Sequence, residues 1–367
     1  MGQRVIADNW SLQAVSELLT QGLDPDDNPG IAPLTDPDKL TTALPQAVTD
    51  LEALFDFITD VALRDQILVD DNYHDAWFGD EGPLAELAQR SIVRPHPFLE
   101  HPERLDGPRR EFVRRLVLNP TMAREQAANE AAWGQSGQSP HKFTAQLVWG
   151  GAGMLARAWV NEAPYTPHPL RRRLFERAGV VLPGSGNALG EFNQAVAQHR
   201  ATLYRPASGG DALYGAQVVL PALPALVLRD ASSLSDMFVV ASQIRDRLSE
   251  LRAWLSQYQE ALSAGEFKSI ATESKRLRTL AKEVERALGQ KPTDAASLNI
   301  GWSWFKLNLK LDPKAWLPKL DHVQIQASTL TFAPSGGMEL RKLLGFFGHQ
   351  HSALGARTLG YFSTPQR

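Results

Sequence analysis

Residues 66–81 read QILVDDNYHDAWFGDE: an apolar run, a pair of aspartates, and then an acid-rich segment carrying Tyr73, Trp77 and Phe78. Ile67-Leu68-Val69 is too short and too uniformly apolar for a surface helix, so it predicts a short buried strand. Upstream, Leu51, Leu54, Phe55, Ile58, Val61 and Ala62 recur at helical spacing. Thr49-Asp50-Leu51-Glu52 has capping-box spacing and marks the expected start of that helix. Downstream, PLAELAQRS (83–91) predicts a helix, and Ile92-Val93-Arg94-Pro95 a strand cut off by its proline. Helix, strand, helix, strand is the order of an α/β lobe. Within it, residues 70–81 read as an acidic exposed turn anchored by Trp77 and Phe78.

Outward from this lobe the pattern changes. SLQAVSELLTQGL (11–23) has helical spacing with Ser11 placed as its cap, followed by the proline-broken DPDDNPGIAPLTDPD. Beyond Glu100 the periodicity is helical, with segments expected at 108–118, 120–133, 141–161, 168–178 and 187–204. From Leu234 to Leu262 apolar residues alternate at steps of three and four, a coiled-coil type of seam. Ser263-Ala264-Gly265 then turns the chain into a second helix with Phe267, Ile270 and Leu277 on one face, predicting an antiparallel hairpin. Residues 305–311 and 322–332 alternate as strands do, and 338–347 follows as a helix. The expected fold is therefore mainly α (α+β). It comprises an acidic α/β lobe (1–104), a basic helical region (105–231), a helical hairpin (232–290) and a C-terminal β-hairpin plus helix (291–367).

Charge divides along the same line. The first 100 residues hold 19 acidic against 5 basic residues, and the remainder 22 against 33. Either the acidic lobe docks on the basic one, in this chain or in a sister subunit, or the basic part meets a polyanion. The 367-residue chain has no cysteine, which excludes disulfides, thiolate nucleophiles and cysteine-ligated metals. No signal-like start and no uninterrupted apolar span are present, because Pro221 and Pro224 break the run at 212–228. A cytoplasmic protein with no membrane partner is the expectation.

A strand that ends in a carboxylate suits a divalent cation, since the sheet fixes the backbone while the tip faces solvent. The run Ile67 to Asn72, with the following helix and the strand ending at Arg94-Pro95, resembles the opening of PIN-type ribonucleases over residues 66–100. That resemblance implies Asp70 as a metal-binding carboxylate, Asn72 steadying the loop, and Glu100 or Glu103 as a second ligand. Magnesium or manganese would then activate water for phosphodiester attack. Other motifs read as structural. His349-Gln350-His351 lacks a third ligand, Trp149-Gly150-Gly151-Ala152-Gly153 lacks the Lys-Ser/Thr of a phosphate loop, and Ser185 lacks a nucleophile elbow.

Two arginine clusters, Arg109, Arg110, Arg114, Arg115 and Arg171, Arg172, Arg173, Arg177, are candidate anion or nucleic-acid binders. Leu248, Leu251, Leu255 and Tyr258 either seal the hairpin or form a docking stripe for a partner. The leading expectation is a noncatalytic scaffold or partner-binding component that needs no cofactor. A metal-dependent nuclease centred on Asp70, or nucleic-acid binding without cleavage, is the alternative.

Overall fold

The computed structural model describes residues 4–22, 45–98, 102–180, 188, 191, 195, 220–221, 223–266, 276 and 327–328. Two compact units divide the chain: one of residues 4–57, 67–186 and 350–367, the other of residues 1–3, 58–66 and 187–349.

The first unit is built on a four-stranded parallel sheet in the order β3-β2-β1-β4. Its strands are β1 (Arg4–Ala7), β2 (Gln66–Asp70), β3 (Val93–His96) and β4 (Tyr165–Thr166). Val5, Ile6, Ile67 and Val69 are wholly buried, as expected of parallel strands covered on both faces. β2 and β3 pair from Ile67↔Val93 to Asp70↔His96. Pro95 is thus part of β3 and does not end it, because β3 is an edge strand where a missing N–H is tolerated. β1 is an element that the sequence pattern did not announce. It pairs with β4 through Ile6↔Tyr165 and Ala7↔Thr166.

Helices follow where the apolar spacing places them, with shifted ends. α1 (Asn9–Gln21) is capped by Asp8, whose side chain accepts from the Trp10 N–H; Ser11 lies inside the helix and is buried. α2 (Pro45–Leu63) starts one turn before the Thr49 capping spacing. The expected acidic turn after β2 is a helix, α3 (Asp71–Phe78), with Asp70 as its N-cap and Trp77 and Phe78 buried as anchors. A carboxylate at N-cap satisfies an orphan amide, so the strand-end aspartate starts the helix. α4 (Ala85–Gln89), α5 (Pro102–Leu116) and α6 (Pro120–Ser136) come next. α6 opens on the Asn119 cap with Pro120 in its first turn and stops at left-handed Gly137.

The segment expected as one helix over 141–161 is helical throughout but not uniform. α7 (Lys142–Thr144) leads through a π-helical stretch, Ala145–Gly150, into α8 (Gly151–Val160). α9 (Pro169–Arg177) ends the described part of this unit's helices. α5 and α8 pack extensively on each other around Leu105, Phe112, Leu116, Ala152, Leu155 and Ala156. Gly153 permits that closeness, since a methyl there would meet the Arg109 side chain of α5 at 3.2 Å, and Gly151 likewise makes room for the Phe175 ring of α9 at 3.2 Å.

In the second unit, α10 (Leu223–Asp230) comes first, and α11 (Met237–Arg247) and α12 (Ser249–Ala264) replace the single long helix expected over 233–262. The seam residues are still inward. Leu248 at the α11–α12 junction and Leu251, Leu255 and Tyr258 on α12 are all buried, with the Trp254 and Tyr258 rings 5.0 Å apart. Arg245 closes the end of α2 by donating to the carbonyls of Val61, Arg64 and Asp65. β5 (Leu220–Pro221) and β6 (Ala327–Ser328) form a two-residue parallel ladder. The second hairpin helix apart from Arg276, the strand at 305–311 and the helix at 338–347 fall outside the described residues, as do all but three residues of the helix expected at 187–204.

Removing a central strand residue tests the sheet. Ile67→Ala, at a wholly buried site, is expected to cost about 2–5 kcal/mol in urea unfolding at unchanged slope.

Candidate functional site

In open parallel sheets, ligands gather beyond the carboxyl ends of the strands, where the strand order reverses. Here the chain runs from β1 outward to β2 and β3, then returns to the other side of β1 as β4. The two central strands both end in carboxylates: Asp8 directly after β1, and Asp70 as the last residue of β2.

Asp8 is wholly buried and surrounded by donors. Its Oδ1 accepts from the Trp10 amide at 2.8 Å and pairs with Arg171, and its Oδ2 accepts from the Tyr165 hydroxyl and from the His168 amide at 2.9 Å. Arg171 also donates Nε to the Gln146 carbonyl at 3.0 Å. The His168 ring stacks on Trp10 with centroids 4.2 Å apart and an interplanar angle of 9°. Its Nδ1 accepts from the Leu170 amide at 3.3 Å, so Nε2 holds the proton shared with Asp50 Oδ1 at 3.0 Å.

Burial alone would raise the Asp8 carboxyl, but the Arg171 guanidinium, the adjoining His168 and the surrounding hydrogen bonds hold it below the ordinary carboxylate value. Burial pushes the Tyr165 hydroxyl far up, and the Asp8 charge adds to this, so the phenol stays a donor. Burial disfavours the charged Arg171, yet Asp8 and Tyr165 more than offset it and keep the guanidinium charged.

Asp70 is held in the same way. Its Oδ1 accepts from the Asn72 backbone amide at 3.2 Å and side-chain amide at 2.9 Å, and its Oδ2 pairs with Arg157 at 2.8 Å. Asn72 therefore steadies this turn. The Asp70 side chain is 0% exposed. Glu100 lies outside the described residues, and Glu103 sits in the first turn of α5. Among the described residues no three His, Cys, Asp or Glu side chains are grouped to hold a metal ion. A cation arriving at Asp8 or Asp70 would have to compete with a guanidinium for the same oxygens.

The second arginine cluster faces inward. Arg171 reaches Asp8, Arg172 reaches Asp56 at 2.8 Å, and Arg173 forks onto both Glu52 oxygens at 2.8 and 2.9 Å. Arg177, in the last turn of α9, is exposed. In the first cluster, Arg110 and Arg114 are exposed, Arg114 making a surface pair with Glu111 at 3.3 Å. Arg115 donates to the Gly179 carbonyl at 3.3 Å. Arg109 is half-buried, its guanidinium 3.9 Å from the centre of the Trp149 ring. Sequence reasoning missed Asp8 and His168, and offered Tyr165 as an aromatic for stacking on nucleic acid where it is a buried donor to Asp8. The signal for Asp8 was present, since Val5-Ile6-Ala7-Asp8 repeats the apolar-run-then-Asp pattern of residues 67–70.

These elements define a mainly helical protein with a small parallel α/β unit whose strand-end carboxylates are bound by arginines. Comparison with protein-family models finds no match, and comparisons with curated proteins and with solved structures find none either. The residues alone carry the functional argument.

Asp8→Asn leaves the buried Arg171 without a counter-charge and is expected to lower stability by about 3–5 kcal/mol at neutral pH. Because the folded pKa of Asp8 is depressed, its contribution is complete above the ordinary value of 3.8 and is lost as pH falls through the folded one. Urea titrations between neutral pH and pH 2 are expected to show the gap between wild type and variant narrowing only in that acid limb.

Proposed function

We propose that the protein is a noncatalytic, partner-binding component of a larger assembly. The observation that supports this most is the state of the two strand-end carboxylates. Each is covered, and each is neutralised by an arginine of the same unit, so the two carboxylates best placed to act as reactive groups are engaged in ion pairs.

The surface beside this edge fits protein contact. Trp159, in the last turn of α8, is 60% exposed, and Tyr73, in the first turn of α3, is 47% exposed. These two helices are joined by the Asp70–Arg157 pair. Large aromatics left on a surface are the residue types that anchor interfaces. Leu248, Leu251, Leu255 and Tyr258 are buried in the other unit and act there as core. No helix among the described residues is long and apolar enough to cross a membrane.

A second reading, metal-dependent nuclease, draws on one observation: Asp8 and Asp70 end neighbouring strands of a parallel sheet. It requires Arg157 and Arg171 to release them. Nucleic-acid binding through Arg171, Arg172 and Arg173 would likewise require each to leave its acid.

Purification of the full chain from its native host is expected to recover a stoichiometric protein partner. Trp159→Ala should weaken that complex by about 2 kcal/mol, roughly 30-fold, without lowering Tm. A monodisperse monomer with no partner contradicts the reading. Manganese-dependent cleavage of RNA or DNA that Asp70→Ala abolishes replaces it with the nuclease.

A further inference from the structure

Three arginines, Arg109, Arg157 and Arg171, lie near the carboxyl edge of the sheet, and two of them pair with its buried strand-end carboxylates. Arg157 is matched by Asp70 and Arg171 by Asp8, but Arg109 has no carboxylate at ion-pair distance among the described residues. Among the described residues its only hydrogen bond is a long one, from one terminal nitrogen to the Trp149 carbonyl at 3.5 Å. The Nε of Arg109 and the Nε of Arg157 are both buried without an acceptor. Gly153 on α8 lets the Arg109 fork lie against that helix, since a methyl there would meet its guanidinium at 3.2–3.3 Å. The fork is thus held on one side by the Trp149 face and on the other by a bare stretch of backbone.

This is an electrostatically uncompensated position. Burial and the neighbouring Arg157 charge lower the Arg109 pKa to about 10, with exposed Asp106 opposing them only in part. A half-buried cation beside two further guanidiniums is stabilised by an anion that brings several acceptors at once. Tetrahedral oxyanions do so, and planar guanidinium forks match their edges.

We propose that the carboxyl edge of the parallel sheet binds a phosphate group, with Arg109 as its principal ligand and Arg157 supporting it. This site is independent of the protein-partner reading above, since it uses neither Trp159 nor a second protein. The phosphate is either free or the terminal group of a mononucleotide.

The test uses the full chain, with inorganic phosphate and AMP titrated by calorimetry and by thermal unfolding, and sodium chloride at matched ionic strength as the control. Phosphate is expected to raise Tm in a concentration-dependent way that chloride does not reproduce. Arg109→Gln should weaken binding by about 10-fold or more, while its ligand-free Tm stays near that of wild type because the lost charge was uncompensated. Should that variant not fold, Arg109→Lys keeps the charge but loses the fork, and weaker phosphate binding is again expected. AMP binding more tightly than phosphate identifies a nucleotide as the source, and equal affinities identify free phosphate. The proposal is overturned if phosphate shifts Tm no more than chloride does, or if the folded Arg109 variants bind phosphate as wild type does.

Discussion

The buried pairing of Asp8 with Arg171 is the interaction on which the parallel-sheet unit depends. An aspartate wholly removed from water is costly unless every lone pair is used, and here four donors from three parts of the chain use them. The four donors tie three elements together. The Trp10 amide starts α1, Tyr165 belongs to β4, the His168 amide opens α9, and Arg171 comes from the first turn of α9. Arg171 also holds the Gln146 carbonyl within the π-helical stretch, where backbone carbonyls deviate from the α-helical ladder and accept outside bonds. One carboxylate thereby sets the place of the fourth strand, two helix starts and a helix irregularity.

Charge then propagates from that centre outward. Successive arginines of α9 reach Asp8, Asp56 and Glu52, and Arg157 on α8 reaches Asp70. The opposition between an acidic front and a basic rear is satisfied, within this unit, by side chains far apart in sequence. The half-buried Arg109 guanidinium is stacked on Trp149 and has no acid at ion-pair distance among the described residues. Such pairs are costly to break one partner at a time but add little net stability over apolar packing, so their work is to specify which elements meet.

Much of the fold was legible in local pattern. The apolar face of α2, the strand at 67–69, and the helices α5, α6 and α9 follow directly from spacing, because a half-buried element must repeat its apolar residues at its own period. The strand β1 was not legible: four residues at the chain's start offer too few periods to read. Nor was the break at Leu248, where the apolar rhythm continues from α11 into α12 while the backbone does not. The candidate site was half legible. Asp70 and Asn72 stand out as a strand end, and they do form one. Their partner Arg157 is 87 residues away, and the Asp8 partner Arg171 is 163 away. Residue spacing holds no information about pairings of that range, so a carboxylate poised for metal and one tied to arginine look alike in sequence.

The most direct measurement is a double-mutant cycle between Asp8 and Arg171, read by urea unfolding of Asp8→Asn, Arg171→Met and the double variant. Mutual dependence of the two charges predicts that the losses do not add, with a coupling energy of about 1–3 kcal/mol and a double variant more stable than the sum of the singles implies. Losses that add to within a few tenths of a kcal/mol would contradict the account, because the carboxylate and the guanidinium would then not be organising the sheet's edge together.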